Sequence, residues 1–101
     1  SLNLSYNDLG PSSIKILQPI MSTLETLNLS HTKLNNDSMD DFCQMFKNQN
    51  MRLGELDIHS NSITSEGFYK LMVCLKTNNK VRKLNISKNN IATDLKVFKM
   101  V

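Results

Sequence analysis

The chain has 101 residues, one domain's worth of material, and 40% of them are hydrophobic, which fits a soluble folded body. Its formal net charge of +3 is uneven: residues 1–50 balance to −2 and residues 51–101 to +5, so any partner drawn by charge should be acidic and sit toward the C-terminal end, unless the excess only solvates a convex face. No apolar run is long enough to span a membrane, and the basic residues are not interleaved with aromatic ones, which make up only 6% of the chain, so neither a membrane nor a nucleic-acid partner is expected.

A short strand opens the chain in the pattern Leu2-x-Leu4-x-x-Asn7-x-Leu9. A helix over 11–21 follows, with Pro11 suited to its first turn, Ile14, Leu17 and Met21 on one face, and Pro19 ending or bending it early. The pattern then returns in full as Leu24-x-x-Leu27-x-Leu29-x-x-Thr32-x-Leu34. A second helix spans 37–47; Asp37 or Ser38 caps it, Asp40 and Asp41 suit its positive end, and Met39, Phe42, Cys43 and Phe46 form its buried stripe. The third copy is Leu53-x-x-Leu56-x-Ile58-x-x-Asn61-x-Ile63, followed by Gly67 and a helix over 65–76 with Phe68, Leu71, Met72 and Leu75 inward. A fourth copy, Val81-x-x-Leu84-x-Ile86-x-x-Asn89-x-Ile91, precedes a helix that starts at Thr93 or Asp94 and carries Leu95 and Phe98. Residues 48–50 and 77–80 are polar returns between helix and next strand.

Equivalent leucines fall at 2, 27, 56 and 84, steps of 25, 29 and 28 residues. Pattern and period resemble those of leucine-rich repeats, and the length of the steps and their spacer hydrophobics resemble the ribonuclease-inhibitor-like subclass. The resemblance covers nearly the whole chain. It implies an α/β leucine-rich repeat solenoid, a right-handed βα superhelix with a parallel sheet on its concave face, in units 1–23, 24–52, 53–80 and 81–101 that form part of a longer array. Leu27 and Leu29 should point inward and Thr26, Asn28 and Ser30 outward, since side chains alternate along a strand. The column Asn7, Thr32, Asn61 and Asn89 should sit at the strand-to-turn corner, its amides satisfying backbone groups of their own turn and of the next copy. Thr32 has less hydrogen-bonding capacity, so the ladder should be weaker there.

The outward strand positions define a candidate binding face of Asn3, Ser5, Tyr6, Asn28, Ser30, His31, Glu55, Asp57, His59, Lys83, Asn85 and Lys88. It is polar and lacks the Trp, Tyr and Arg density of a strong hot spot, so binding through it should be modest or completed by other repeats. His31, His59 and Asp57 can be drawn as two histidines and a carboxylate around a metal, but surface residues of a repeat array account for them better. Nucleophile motifs, P-loops and G-x-G-x-x-G runs do not occur, so neither an enzyme nor a cofactor is expected. Asn3-Leu4-Ser5, Asn28-Leu29-Ser30, Asn36-Asp37-Ser38 and Asn85-Ile86-Ser87 fit the glycosylation acceptor pattern, yet three of them arise from the repeat template itself. Cys43 and Cys74, beside core positions, are expected to be buried free thiols, which points to a reducing, intracellular compartment.

The resemblance implies recognition of other proteins, as a scaffold or adaptor segment of a larger intracellular assembly, cytoskeletal or ciliary. Families that share the pattern also include GTPase-activating regulators and the sensor domains of innate immune receptors, which stand as alternatives.

Overall fold

In the computed structural model, residues 1–48 and 50–90 are described. Four short strands, β1 (Leu2–Asn3), β2 (Thr26–Asn28), β3 (Glu55–Asp57) and β4 (Lys83–Asn85), alternate with three helices, α1 (Ser13–Leu17), α2 (Met39–Phe46) and α3 (Ser65–Leu75). The strands form one parallel sheet in chain order. Each strand and its helix thus make one βα unit laid against the next, giving a mixed α/β fold with a sheet on one side and helices on the other.

The register places equivalent leucines in one column: Leu2 opposite Leu27, Leu27 opposite Leu56, Leu56 opposite Leu84. Leu27, Leu29, Leu56 and Ile58 are buried, so the alternation read from the pattern puts these residues in the core. From the helix side come Ile14, Met39, Phe42, Met45, Phe46, Phe68 and Leu71, also buried. Each such side chain contributes about 1.5–3 kcal/mol on burial. Met45 and Met51 reach the core from positions the helical stripe and the polar return did not suggest. The unbranched methionine side chain fills irregular gaps of this kind.

Several elements differ from expectation. The first helix begins at Ser13 instead of residue 11; its α-helical part stops early, at Leu17, as expected from Pro19, which lies in a 3₁₀ turn over Gln18–Ile20 where its missing N–H breaks no α-helical bond. The second helix is capped neither by Asp37 nor by Ser38. A 3₁₀ turn over Asn36–Ser38 precedes α2, and Asn35 accepts a hydrogen bond from Asp37 N (2.8 Å) while Ser38 Oγ reaches back to Asn35 N, a capping box one turn earlier. The expected helix after Thr93 lies outside the described residues. Among the described residues, no helix is long and apolar enough to cross a membrane.

The cysteines are the largest departure. Cys43 and Cys74 are half-buried and joined in a disulfide, not buried free thiols. α2 and α3 pack side by side and bring the two Cα atoms to 5.5 Å, within normal bridging distance, while Cys74 still packs against the edge of the core. The inference of a reducing compartment from unpaired thiols therefore falls.

The asparagine column acts as expected, but toward the preceding copy. Asn61 Oδ1 accepts from Thr32 N (3.1 Å) and Leu34 N (3.0 Å), while Asn61 Nδ2 donates to Ile58 O, His59 O and Leu29 O at 2.9–3.2 Å. Asn89 repeats this set on Asn61 N, Ile63 N and Ile58 O. At the Thr32 step, the hydroxyl donates to Leu29 O (2.6 Å) within its own turn, and Leu9 N turns to Asn7 O instead of a side chain. Gly10, at φ 77°, takes the turn that lets its N–H meet Thr32 O (3.0 Å).

A second inter-unit amide lies on the helix side. Thr64 N donates to Asn36 Oδ1 (3.0 Å), and Asn36 Nδ2 donates to Thr64 Oγ1 (2.6 Å). Gly67 leaves room for it; a Cβ there would come well inside contact distance of Asn36 Oδ1.

Two stability predictions follow from these contacts. Thr32→Asn adds an acceptor within reach of the first unit, and thermal unfolding followed by circular dichroism is expected to show a midpoint no lower than the parent's, with a gain of up to about 1 kcal/mol. Gly67→Ala displaces Asn36 and is expected to cost about 1–3 kcal/mol, but clearly less when Asn36→Ala is already present, a coupling that a double-mutant cycle in urea measures.

Candidate functional site

The outward face of the sheet is a trough of about 480 Å³ lined by Thr26, Asn28, Glu55, Asp57, Lys83 and Asn85 and, between them along the strands, by Leu27, Leu56 and Leu84. Pairing sets its columns. Thr26, Glu55 and Lys83 stand in line, and so do Asn3, Asn28, Asp57 and Asn85. The columns predicted from strand parity are therefore brought together. Small polar groups occupy the first two units, carboxylates the third and a lysine the fourth.

The second column shows why the N-x-S triplets recur. Asn3 Oδ1 accepts from both Ser5 N (3.0 Å) and Ser5 Oγ (2.6 Å). Asn28 does the same for Ser30, and Asn85 for Ser87. The amide and hydroxyl close a small turn at the strand end. The fourth triplet is also engaged, since Asn36 bridges to Thr64 and Ser38 is fully buried. Ser30, counted among the binding residues, is buried to 2% exposure and offers little surface. Its hydroxyl is turned back onto Asn28, and it sits in its column next to the larger His59 of the following unit.

The third unit departs from this device at both positions together. Asp57 replaces the asparagine and His59 the serine. Asp57 Oδ1 still accepts from His59 N (3.0 Å), and it also meets His59 Nδ1 at 2.5 Å. A carboxylate–imidazole pair, each partner about one-quarter to one-third exposed, therefore stands at the middle of the face.

Immediately after each such turn the backbone becomes left-handed at the same place in every unit: Tyr6 (φ 61°), His31 (52°), Ser60 (55°) and Lys88 (55°). This conformation costs about 1–2 kcal/mol in a residue with a Cβ. It persists because the ladder holds it from both sides. Tyr6 N donates to Ser30 O, His31 N to His59 O and Ser60 N to Ser87 O, while the corner asparagine binds the carbonyls just before it. The bend carries these side chains to the rim of the trough. There Tyr6, 76% exposed, stacks on His31 with ring centroids 4.2 Å apart, and His31 meets His59 edge-on at 5.4 Å. Pattern reading placed these residues just beyond the strands; it did not show the ring strip. No glycine or asparagine marks the left-handed position, so only its recurrence at one register could have signalled it.

His59 Nδ1 is held by Asp57, and His31 faces neighbouring rings. Among the described residues, no three His, Cys, Asp or Glu side chains are placed to hold a metal ion. Glu55 pairs with Arg82 of the next unit at 3.5 Å, and Glu25 pairs with Arg52 at the end of its own unit at 3.2 Å. Both bridges involve largely exposed arginines and add little stability.

Residues 23–45 match one model described as a leucine-rich repeat, and residues 1–15 and 77–94 match a second model with the same description. No curated protein matches the chain. Among solved structures, the chain is similar to one titled "Leiomodin-1 Actin-Binding Site 2 (ABS2)", with a TM-score of 0.78 and 16% identity over 97% of this chain. The chain spans 62% of that structure's length. At this identity the likeness is one of fold.

The paired exchange in the third unit makes a clean test. Asp57→Asn combined with His59→Ser rebuilds the turn present at Asn28 and Ser30, and is expected to leave the unfolding free energy within about 1 kcal/mol of the parent. Asp57→Ala removes the acceptor of His59 N and is expected to cost about 1 kcal/mol or more in the same chemical denaturation series.

Proposed function

We propose, the chain being a leucine-rich repeat protein, that it serves as a protein-recognition segment of a cytoskeletal assembly and binds its partner through the trough and its aromatic rim. On this reading it is a non-catalytic scaffold or adaptor, part of a ribonuclease-inhibitor-like solenoid, and the sheet is the concave side of that array. The observation that carries the proposal is the third unit. The trough's structural turns use Asn and Ser in three units, whereas in the third unit Asp57 and His59 close the same turn with a different chemistry. A change of chemistry at the centre of an exposed face, beside a stacked Tyr6 and His31, supports a surface that makes contact.

The cytoskeletal element draws on the similar structure, whose title names an actin-binding site. Actin is therefore the first partner to test. The face bears neutral, then acidic, then basic groups along its length, so charge would contribute to partner choice and register more than to affinity.

The test is co-sedimentation with actin filaments, and native gel shift with actin monomers, using the parent protein and two variants. Asp57→Asn with His59→Ser is expected to weaken binding about tenfold or more while leaving the melting temperature in place; loss of a central contact of about 1.4 kcal/mol has that effect. Lys83→Glu is expected to weaken it and reduce its salt dependence. Full binding by both variants would remove the trough from the interface. Absence of binding by the parent protein would remove actin as the partner.

A further inference from the structure

We propose that the Cys43–Cys74 bond is a thiol–disulfide exchange site, open to dithiol reductants on the helix side, whose state sets how far the chain resists unfolding. Nothing in this depends on the reading of the sheet face.

Three observations carry it. First, the bond is accessible. Both cysteines are half-buried and line an open depression of about 540 Å³ together with Asp40, Lys47, Lys70 and Val73, so a small dithiol or the exposed active site of a dithiol oxidoreductase can reach the sulfurs without unfolding of the chain. Second, the surroundings suit exchange. Lys47 lines the same depression together with an Asp40–Lys70 ion pair (3.8 Å), so cationic side chains share the depression with the thiolate that leaves when the bond opens. Third, the bond is placed where it matters. It joins α2 to α3 across 31 residues of sequence, and the loop it closes contains all of β3, with Glu55 and Asp57, and His59 just beyond it. It thus fastens, from the back, the unit whose front face is chemically distinct.

The exchange balances as follows. A thiolate of the reductant attacks one cysteine sulfur, the Cys43–Cys74 bond breaks, and the other cysteine departs as a thiolate and takes up a proton. The reductant's second thiol then displaces the first cysteine from the mixed disulfide. Two electrons and two protons pass from the dithiol to the cystine, leaving two protein thiols and an oxidised dithiol.

With the bond open, α2 and α3 retain their packing but the closed loop is released, so the unfolded chain regains freedom and the melting temperature drops. The experiment uses the whole chain with dithiothreitol as probe. Maleimide labelling read by mass spectrometry is expected to find no reactive thiol before reduction. Well below the melting temperature, dithiothreitol should make two thiols reactive together. The reduced protein is expected to melt on the order of 10 °C lower and to recover on reoxidation. The Cys43→Ser, Cys74→Ser double variant should melt with the reduced protein and ignore dithiothreitol; should it fail to fold, labelling and melting of the parent protein decide alone. Two thiols labelled before reduction, a bond that resists dithiothreitol until the chain melts, or equal melting of oxidised and reduced protein would each overturn the proposal.

Discussion

The side-chain amide that follows three of the four strands is the constraint on which the rest of the structure depends. Asn61 ties two N–H groups of the preceding unit to itself and closes three carbonyls of the corner with its other end. These backbone groups lie where the sheet ends and the chain turns toward its helix, so strand pairing cannot reach them all. A buried polar group left unpaired there would cost about 1–3 kcal/mol. The amide meets that need and also sets the spacing of one unit on the next. The inner leucines then stack in register, and apolar burial supplies the bulk of the stabilisation.

The face that is a candidate for binding is a by-product of the same constraint. Closing the corner requires a left-handed residue, and that residue is swung out to the rim. The repeat thus delivers four rim positions at fixed spacing, filled by Tyr6, His31, Ser60 and Lys88. What occupies them is free to vary, because the backbone bonds that hold the bend do not involve the side chain. The same holds in the column beside it. A small turn needs an acceptor at one position and an N–H two residues on, and both Asn–Ser and Asp–His satisfy it. Local structure is thereby separated from surface chemistry, and a repeat can change what it presents without losing its fold.

Helix-side features follow a different logic. Asn36 with Thr64, Asn78 with Phe46 O and the Cys43–Cys74 bond each join one unit to the next, but among the described residues they do not recur as a column. They depend on where each helix begins and how it lies on its neighbour. The capping of the second helix one turn earlier, at Asn35, illustrates how far such details can shift from a pattern.

The sequence by itself determined the strands, the inner leucine column and the residues of the outward columns, because period-two alternation inside a repeat of 25–29 residues leaves one register that buries every copy's leucines. It also marked Thr32 as different from the asparagines of its column, since hydrogen-bonding capacity is a property of residue type, and the Thr32 hydroxyl indeed bonds within its own turn. Tertiary structure alone decided the direction of the amide bridges, the burial of Met51 and Ser30, the Tyr6–His31–His59 strip and the disulfide. Each of these turns on the distance between atoms some 25–30 residues apart in the chain. Residue type sets what a side chain is able to pair with; only the packing of one unit on another decides which partner it meets.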